Sequence, residues 1–347
     1  MTPDSDAAHY RTHACKPLRI GTLGAARITP TALLGPAKRV SEVEVTAVAA
    51  RDPDRARQFA KKHGIARVLP DYAALIDDRE IDAIYNPLPN SHHAEWTIRA
   101  LEAGKHVLCE KPLAANAGEA RAMAEAATRN DRLLMEAYHW RYHPLADRMR
   151  EIMTEGVLGE IRHIEASLCV PMLVPGDIRY RYDLAGGSLM DLGGYTVNMV
   201  RYLAGDEPEV LSAEVRLARP DVDRWARAEL SFPDGRTGRI TCSLLSSSLL
   251  RMNIRVVGES GRLEVFNPIA PHVFHWLTVR SHGRTRRERV RGQSTYALQL
   301  RAFVAALRSG TPPTSDARDG IANMAVIDAI YTAAGLPIRG LSGDGGV

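Results

Sequence analysis

Short apolar runs alternate with segments of helical periodicity over the first 140 residues, and this alternation constrains the fold more than any other feature. We predict strands near 18–23, 44–50, 82–86, 106–109 and 132–137, and helices at about 27–39, 53–63, 71–77, 92–103 and 116–129. Strands that alternate with helices are typical of βαβ units, which build a parallel sheet covered by helices. The N-terminal part is therefore predicted to be α/β.

The pattern changes after about residue 140. A helix is predicted at 144–154, followed by strands near 161–168, 209–218, 224–233, 236–247, 251–258, 261–266 and 273–281, and by helices at 295–308 and 316–334. Strands joined by turns such as Phe232-Pro-Asp-Gly235 favour an open, mainly antiparallel sheet. We predict a flexible tail at 1–16, a first domain at 17–140 and a second, α+β domain at 141–340.

Composition and charge exclude several classes of protein. The 347 residues include 45 basic and 41 acidic residues, a balance that does not indicate nucleic-acid binding, and the arginine-rich stretch 280–291 is interpreted as a solvated hairpin. The four cysteines are isolated from one another and from histidines, so we predict free thiols and no metal site. Without a secretory signal or an apolar run of membrane length, the chain is predicted to be cytoplasmic, with no membrane partner.

The first strand runs directly into a glycine turn, Leu18-Arg-Ile-Gly-Thr-Leu-Gly-Ala-Ala-Arg-Ile-Thr29. Gly24 is the first glycine of a degenerate GxGxxG motif, with Ala26 and Thr29 at its other two positions. Small residues here let backbone amides at a helix N-terminus approach the pyrophosphate of a dinucleotide. The turn, with Arg27 and Ile28 in it, therefore predicts a Rossmann dinucleotide-binding domain.

The residues after the second strand bear on which dinucleotide is bound. Arg51 follows the strand and Asp52 follows Arg51. An arginine here can hold a 2′-phosphate, whereas an acidic residue would accept the ribose hydroxyls, so we favour NADP over NAD. Asp52 is expected to cap the helix that starts at Pro53.

The loop after the third main strand is predicted to form a wall beside the nicotinamide half of the cofactor, because its prolines stiffen it. Its candidate cofactor-binding residues are Asn86, Pro87, Leu88, Asn90 and His93. An alternative is that Asn90 or Ser91 caps the next helix.

The segment VLCEKPLAANA, residues 107–117, ends a strand in the charged pair Glu110-Lys111 followed by Pro112. A residue before proline is disfavoured from helical geometry, so Lys111 should lie extended or in a turn where the strand leaves its sheet. Open α/β sheets place their chemistry at such strand exits. Glu110 and Lys111 are therefore candidates for contact with the cofactor.

Several motifs together resemble the Gfo/Idh/MocA oxidoreductase family. They are Gly21-Thr-Leu-Gly-Ala-Ala-Arg-Ile28, Ala49-Ala-Arg-Asp52, Pro89-Asn-Ser-His-His93, Ala103-Gly-Lys-His-Val-Leu-Cys-Glu-Lys-Pro112 and Gly186-Gly-Ser-Leu-Met-Asp-Leu-Gly-Gly-Tyr195. The similarity extends from about Leu18 to Gly335. It is strongest to the branch of dimeric dihydrodiol dehydrogenases, NADP-dependent xylose dehydrogenases and glucose–fructose oxidoreductase.

The resemblance implies that Lys111 is the catalytic lysine and that Asp191 and Tyr195 match the family's Asp-x-x-x-His/Tyr motif. The family's further aspartate is Asn198 here, which puts the polyol contact in doubt. Tyr195 stands where many relatives, inositol dehydrogenases among them, carry histidine, so the resemblance makes an inositol dehydrogenase less expected. The resemblance also implies a homodimer or homotetramer formed through the C-terminal sheet. We expect the free face of that sheet to be apolar and covered by a second subunit.

The chemistry of these side chains agrees with those roles. Asp191 and Tyr195 are four residues apart, so they share one face of a helix that begins near Leu189. Tyr195 would exchange the proton of the substrate hydroxyl, and Lys111 would polarise the substrate oxygen and lower the phenol pKa. Asp191 would orient the substrate or the lysine.

Two further segments contain candidate binding residues. Trp140 and Arg141, at the junction of the domains, could flank the cofactor, although core packing is the alternative for Trp140. The segment 179–183, with Arg179 and Tyr180, could form a lid or substrate wall.

We therefore predict an NADP(H)-dependent oxidoreductase that acts on a secondary alcohol or ketone of a sugar, cyclitol or small cyclic diol. One alternative is a glycoside hydrolase that works by transient oxidation and elimination with tightly held NAD. Another is a non-catalytic dinucleotide-sensing protein, against which the presence of both Lys111 and Tyr195 argues.

Overall fold

A computed structural model describes residues 16–174 and 176–340 of the chain; of the predicted tail, residues 1–15 lie outside this part. Six parallel strands form the first sheet in the order β3-β2-β1-β4-β5-β6, the strand order of a doubly wound Rossmann fold. The strands are β1 (Leu18–Leu23), β2 (Val43–Ala49), β3 (Arg67–Val68), β4 (Ala83–Asn86), β5 (His106–Cys109) and β6 (Leu134–Glu136). The predicted parallel sheet is confirmed.

In the described part of the chain, five α-helices accompany this sheet. They are α1 (Gly35–Ala37), α2 (Pro53–His63), α3 (Tyr72–Asp77), α4 (His93–Glu102) and α5 (Ala117–Arg129). The Asp52 side chain accepts hydrogen bonds from the amides of Asp54 and Arg55, which confirms the predicted cap of α2. The helix predicted at 27–39 is shorter and begins as a π-helix over Pro30–Leu34. Proline lacks an amide hydrogen, so Pro36 interrupts regular α-helical bonding there.

Eight strands form the second sheet, in the order β14-β13-β12-β11-β7-β10-β9-β8. The strands are β7 (Ile161–Cys169), β8 (Glu209–Arg219), β9 (Val222–Ser231), β10 (Thr237–Ser243), β11 (Arg251–Gly258), β12 (Gly261–Phe266), β13 (Trp276–Ser281) and β14 (Arg284–Glu288). Only β7 and β10 pair in parallel, which confirms the predicted mainly antiparallel sheet. The arginine-rich stretch contributes β14 of an exposed hairpin, as predicted.

One face of this second sheet is covered by helices and the other is charged. The remaining helices are α6 (Pro144–Thr154), α7 (Gly194–Ala204), α8 (Thr295–Ser309) and α9 (Ala317–Ala333). Helices α7 and α9 contact strands of the sheet, and Ile164, Ile240 and Val256 are buried in its core. The opposite face carries Glu165, Glu229 and Glu264, paired with arginines on the sheet. Our expectation of an apolar free face is therefore wrong, because alternate residues of these strands are charged.

Helix α8 returns to the first sheet. Its Leu300 and Phe303 are buried in one cluster with Ile20 and Tyr85 of the parallel strands. This return brings the start of α8 beside the exits of β4 and β5. Among residues 16–174 and 176–340, no helix combines the length and the apolar character needed to cross a membrane, and no group of three or more His, Cys, Asp or Glu side chains could hold a metal ion.

Candidate active site

Two adjoining cavities lie at the carboxyl ends of the parallel strands. We call the first the inner cavity, with a volume of about 260 Å³, and the second the outer cavity, with about 890 Å³. Pro87, Leu88 and Ile178 line both, so the two spaces are neighbours. The inner cavity also contains Ile28, Asn90, His93, Glu110, Lys111, Arg179, Asp191, Tyr195 and Tyr296.

Lys111 lies where β5 leaves the sheet, as predicted. Its side chain is 13% exposed, and its Nζ donates hydrogen bonds of 2.9 Å to both the Oδ1 and the carbonyl oxygen of Asp191. The buried Glu136 fixes the loop that carries Lys111, because its side chain accepts a hydrogen bond of 2.7 Å from the Leu113 amide. His93 braces the same loop by placing its two ring nitrogens 2.9 Å from the Pro112 carbonyl and 2.8 Å from the Leu88 carbonyl.

Asp191 and Tyr195 come from a helix that begins at Leu189, as predicted. Its first turn, Leu189–Gly193, is a π-helix that continues into α7. The buried Asp223 fixes this start by accepting bonds from the Ser188 hydroxyl at 2.6 Å and the Leu189 amide at 2.7 Å. Both Asp191 and Tyr195 therefore face the inner cavity.

Asp191 is held by two cations. Burial alone would raise its pKa, but Lys111 and Arg179 together lower it to about 2. Arg179 Nε lies 2.6 Å from Asp191 Oδ2, and its Nη1 lies 3.1 Å from Asp177. Asp177 in turn binds Arg27 of the glycine turn at 2.9 Å. A continuous row of alternating charges thus joins the glycine turn to the inner cavity.

Tyr195 is 7% exposed, and its ring centroid is 4.9 Å from Lys111 Nζ. Burial raises the pKa of its phenol well above 10, and the neighbouring Tyr296 and Glu110 raise it further. We expected a lowered pKa because of the nearby Lys111, but burial, which the sequence does not show, raises it. Tyr195 is consequently protonated at neutral pH, as a proton donor must be.

The outer cavity contains the glycine turn. Gly24 has φ of +79°, which side chains disfavour, and a Cβ there would lie 3.2 Å from Leu88 Cδ2. Ala26 and Arg27 line the cavity, and within the described chain their amides donate to no other group. These free donors at the start of a helical segment fit the phosphates of a dinucleotide.

Two arginines give the far end of the outer cavity a positive charge. Arg51 and Arg55 both line it, and neither forms an ion pair with any described residue. Tyr72 and Trp96 form an aromatic wall with ring centroids 4.9 Å apart. The residues present therefore fit a dinucleotide that carries an additional phosphate on its adenosine side.

Four predicted site residues line neither cavity. Asn86 is buried and donates to Thr97 at 3.0 Å, so it braces the loop. Trp140 is buried and donates to Asn198, and Arg141 pairs with Asp319 at 2.6 Å. These contacts correct the expectation that Trp140 and Arg141 flank the cofactor. The Tyr180 hydroxyl donates to the Met172 carbonyl rather than facing the cavity.

Sequence reasoning missed several lining residues. Tyr72, Arg55 and Trp96 lie in the outer cavity, and Met172, Ile178, Leu184 and Tyr296 lie in the inner one. A signal for Tyr72 was present, because it follows a parallel strand whose carboxyl end shares the edge of the sheet. Tyr296 had no such signal, since it lies at the start of α8, 185 residues after Lys111 along the chain.

Comparisons with known proteins agree with this geometry. Residues 18–138 match an oxidoreductase family with an NAD-binding Rossmann fold, and residues 146–264 match the GFO/IDH/MocA C-terminal domain. The chain is 35% identical to D-xylose 1-dehydrogenase (NADP(+)) 2 of Haloferax volcanii, over 91% of this chain and 97% of that protein. It is 33% identical to the dTDP-3,4-didehydro-2,6-dideoxy-alpha-D-glucose 3-reductase of Actinomadura kijaniata, over 92% and 96% respectively.

A solved structure extends the similarity to three dimensions. The 3-ketoreductase KijD10 from Actinomadura kijaniata, crystallised with NADP and TDP-benzene, superposes with a TM-score of 0.86. It is 31% identical in sequence, and the alignment covers 92% of this chain and 98% of that one.

Proposed function

The chain belongs to the GFO/IDH/MocA oxidoreductase family, and we propose that it transfers hydride between NADP(H) and a secondary alcohol or ketone of a sugar, cyclitol or small cyclic diol. The observation that carries this proposal is the placement of Lys111 and Tyr195 in one cavity, next to a larger cavity suited to a dinucleotide. The names of the two relatives, a xylose dehydrogenase and a deoxysugar reductase, support the substrate class.

NADP would lie in the outer cavity, with its phosphates near the amides of Ala26 and Arg27 and its 2′-phosphate near Arg51 and Arg55. NADP(H) supplies or accepts the hydride. The two walls shared between the cavities, Pro87-Leu88 and Ile178, would hold its reactive end against the inner cavity.

The chain's own side chains would move the proton. During ketone reduction, the O–H bond of Tyr195 breaks and its proton forms a new O–H bond with the substrate oxygen as negative charge develops there. The Lys111 ammonium would stabilise that oxygen, and Asp191 would keep the ammonium aimed into the cavity through the 2.9 Å ion pair. The inner cavity, of about 260 Å³, suits a single small ring.

A substrate screen tests the proposal. We expect the absorbance of the reduced nicotinamide to change with NADP(H) and one or more sugars, cyclitols or dihydrodiols. Lys111→Ala should abolish the change while leaving NADPH binding intact, and Lys61→Ala, an exposed lysine on α2, should behave like the wild type. Release of an aglycone without net absorbance change would instead indicate the hydrolase, and binding without turnover would indicate a sensor.

We also propose a homodimer or homotetramer formed through the charged face of the second sheet. The half-exposed Arg227, Arg255 and Arg262 of this face pair with Glu229 and Glu264 of the same sheet, and the same charges could pair with the matching face of a second subunit. Sedimentation velocity should show an oligomer that weakens at high salt, because salt screens such contacts. Glu229→Arg should dissociate it, and Glu125→Arg on α5 should not; a monomer at every salt concentration would contradict the proposal.

We also propose that the boundary between the two domains lies between residues 140 and 141. This agrees with the two family matches, of which the first ends at residue 138 and the second begins at residue 146. The return of α8 to the first sheet makes the two parts interdependent. Cytoplasmic localisation stays a prediction.

A further inference from the structure

A buried histidine lies behind Tyr195 and has no part in the mechanism described above. His139 is 2% exposed and belongs to the short helix His139–Tyr142 that follows β6. Its Nε2 is 3.2 Å from the Tyr195 hydroxyl, and its Nδ1 is 2.9 Å from the Thr295 hydroxyl at the start of α8. Three parts of the chain thus meet in one row of hydrogen-bonding groups that ends at the inner cavity.

We propose that His139 is a positioning residue for the proton donor: its Nε2–H donates to the Tyr195 hydroxyl oxygen, while the Thr295 hydroxyl donates to Nδ1 and fixes that tautomer. This inference rests on the function proposed for Tyr195. It assigns Thr295 a role although this residue lies 100 positions from Tyr195 along the chain.

The direction of the two hydrogen bonds follows from the number of protons available. Within the described residues, His139 is the only hydrogen-bond partner of the Thr295 hydroxyl. An imidazole protonated at Nδ1 would therefore leave the buried Thr295 O–H without an acceptor, which costs more than an unused lone pair. In the same tautomer Nε2 would accept the hydrogen bond of the Tyr195 O–H, so this proton would not point at the substrate.

The expected benefit appears when Tyr195 gives up its proton. The resulting phenolate would accept the His139 N–H, and hydrogen bonds to a charged oxygen are about twice as strong as neutral ones. Burial lowers the pKa of His139 to about 3, with Lys111 contributing, so the imidazole stays neutral and keeps its own proton. Tyr195 would recover a proton from water after the product leaves.

The groups around His139 and Tyr195 make the hydrogen bond donated by His139 important. Tyr296 packs against the imidazole in a tilted arrangement with 3.9 Å between centroids, and Tyr138 packs edge-on against Tyr195 at 5.3 Å. The carboxylates of Glu110 and Asp191 oppose a negative phenolate. Lys111 and His272 also act electrostatically on the imidazole, and Lys111 Nζ lies 4.9 Å from the centre of the phenol ring. His139 and Lys111 can therefore each stabilise a phenolate here.

Two substitutions separate a donated hydrogen bond from simple packing. His139→Gln can still offer an N–H at a similar reach, whereas His139→Met fills the space without a donor. We expect the Met variant to lose roughly 10–100-fold in kcat with little change in KM, and the Gln variant to keep a kcat about tenfold above it. In alcohol oxidation, the Met variant should also need a pH about one unit higher to reach half its maximal rate. Equal kcat and pH profiles for the two variants would overturn the proposal.

A second measurement does not depend on turnover. Long-range ¹H–¹⁵N NMR spectra of histidine-labelled protein distinguish the two tautomers, and the signal absent from His139→Gln identifies His139. We expect an Nε2–H imidazole in the wild type and a loss of this preference in Thr295→Val. An Nδ1–H imidazole in the wild type would overturn the proposal even in an active enzyme. If no substrate is turned over, the proposed function fails while the tautomer is still decided.

Discussion

Lys111 Nζ lies 2.9 Å from Asp191 Oδ1, and this ion pair joins the exit of a parallel strand to the helix that carries Tyr195. The side chains are 13% and 15% exposed, so water competes weakly for either charge. Removing one member of a buried pair leaves the other uncompensated, which is costly. The pair therefore fixes the position of the ammonium inside the inner cavity.

Asp191→Asn should leave Lys111 without its charged partner and lower kcat/KM by roughly 10–100-fold, while the affinity for NADPH stays unchanged. Steady-state kinetics and a fluorescence titration with NADPH measure the two effects. A kcat/KM equal to that of the wild type would show that the lysine is positioned by other contacts.

The same pair should resist acid. Since the pKa of Asp191 is lowered to about 2 from an ordinary value of 3.8, its contribution to stability is present above about pH 4 and is lost as the pH falls through about 2. Urea unfolding of the wild type and Asp191→Asn should therefore give a difference in free energy that is constant above about pH 5 and shrinks below about pH 3. A difference that does not vary with pH would contradict the assigned pKa.

Glu136 should give stability the opposite pH dependence. Burial raises its pKa from 4.5 to about 8, with Asp319 adding to the effect, so the folded state keeps a proton that the unfolded chain has lost. Stability should thus fall as the pH rises from about 5 through about 8. Glu136→Gln keeps an acceptor for the Leu113 amide but cannot ionise. Between about pH 5 and pH 8, the free energy of unfolding should therefore fall by about 1–4 kcal/mol less in this variant than in the wild type. An equal change in the free energy of unfolding between about pH 5 and pH 8 for the wild type and Glu136→Gln would contradict the expectation.

Arg51→Ala should raise the Kd for NADPH by roughly 10–100-fold and leave the Kd for NADH nearly unchanged, because only NADPH carries the 2′-phosphate. Isothermal titration with both cofactors measures the selectivity. Arg57→Ala is the matched control, since Arg57 lies on α2, which begins two residues after Arg51, pairs with Asp54 and does not line the outer cavity. An equal loss of affinity for NADPH and NADH would show that Arg51 does not bind the 2′-phosphate.

Asp177→Asn should speed the release of NADPH by roughly 3–30-fold, because Asp177 joins Arg27 of the glycine turn to Arg179 of the inner cavity. Stopped-flow displacement measures the rate. Asp183→Asn, which alters an exposed pair with Arg181 on the same loop, should leave the rate unchanged. Equal release from both variants and the wild type would show that this contact does not retain the cofactor.

The features that sequence could predict were local ones. The cap at Asp52 and the position of Lys111 at a strand exit depend on a few neighbouring residues, and the structure has both. Asp191 and Tyr195 were placed on one helix face by their spacing alone, and the structure puts both in the inner cavity.

Contacts between distant segments and the effects of burial could not be predicted in this way. Trp140 lies at the junction between the two sheets, but the short helix there turns it into the core. Tyr296 reaches the inner cavity because α8 packs on the first sheet, and His139 meets Tyr195 from a segment 56 positions away along the chain. The pKa of Tyr195 was misjudged because residue types show the nearby ammonium but not the depth of burial.

A single-turnover measurement of hydride transfer tests most directly whether Lys111 and Tyr195 act on the same reacting carbon. Enzyme loaded with NADPH is mixed with a ketone substrate found in the screen, and the decay of the reduced nicotinamide is followed in the wild type, Lys111→Met and Tyr195→Phe. We predict that each substitution slows transfer by at least about 100-fold while the Kd for NADPH stays within about threefold. Transfer at the wild-type rate in either variant would contradict this mechanism.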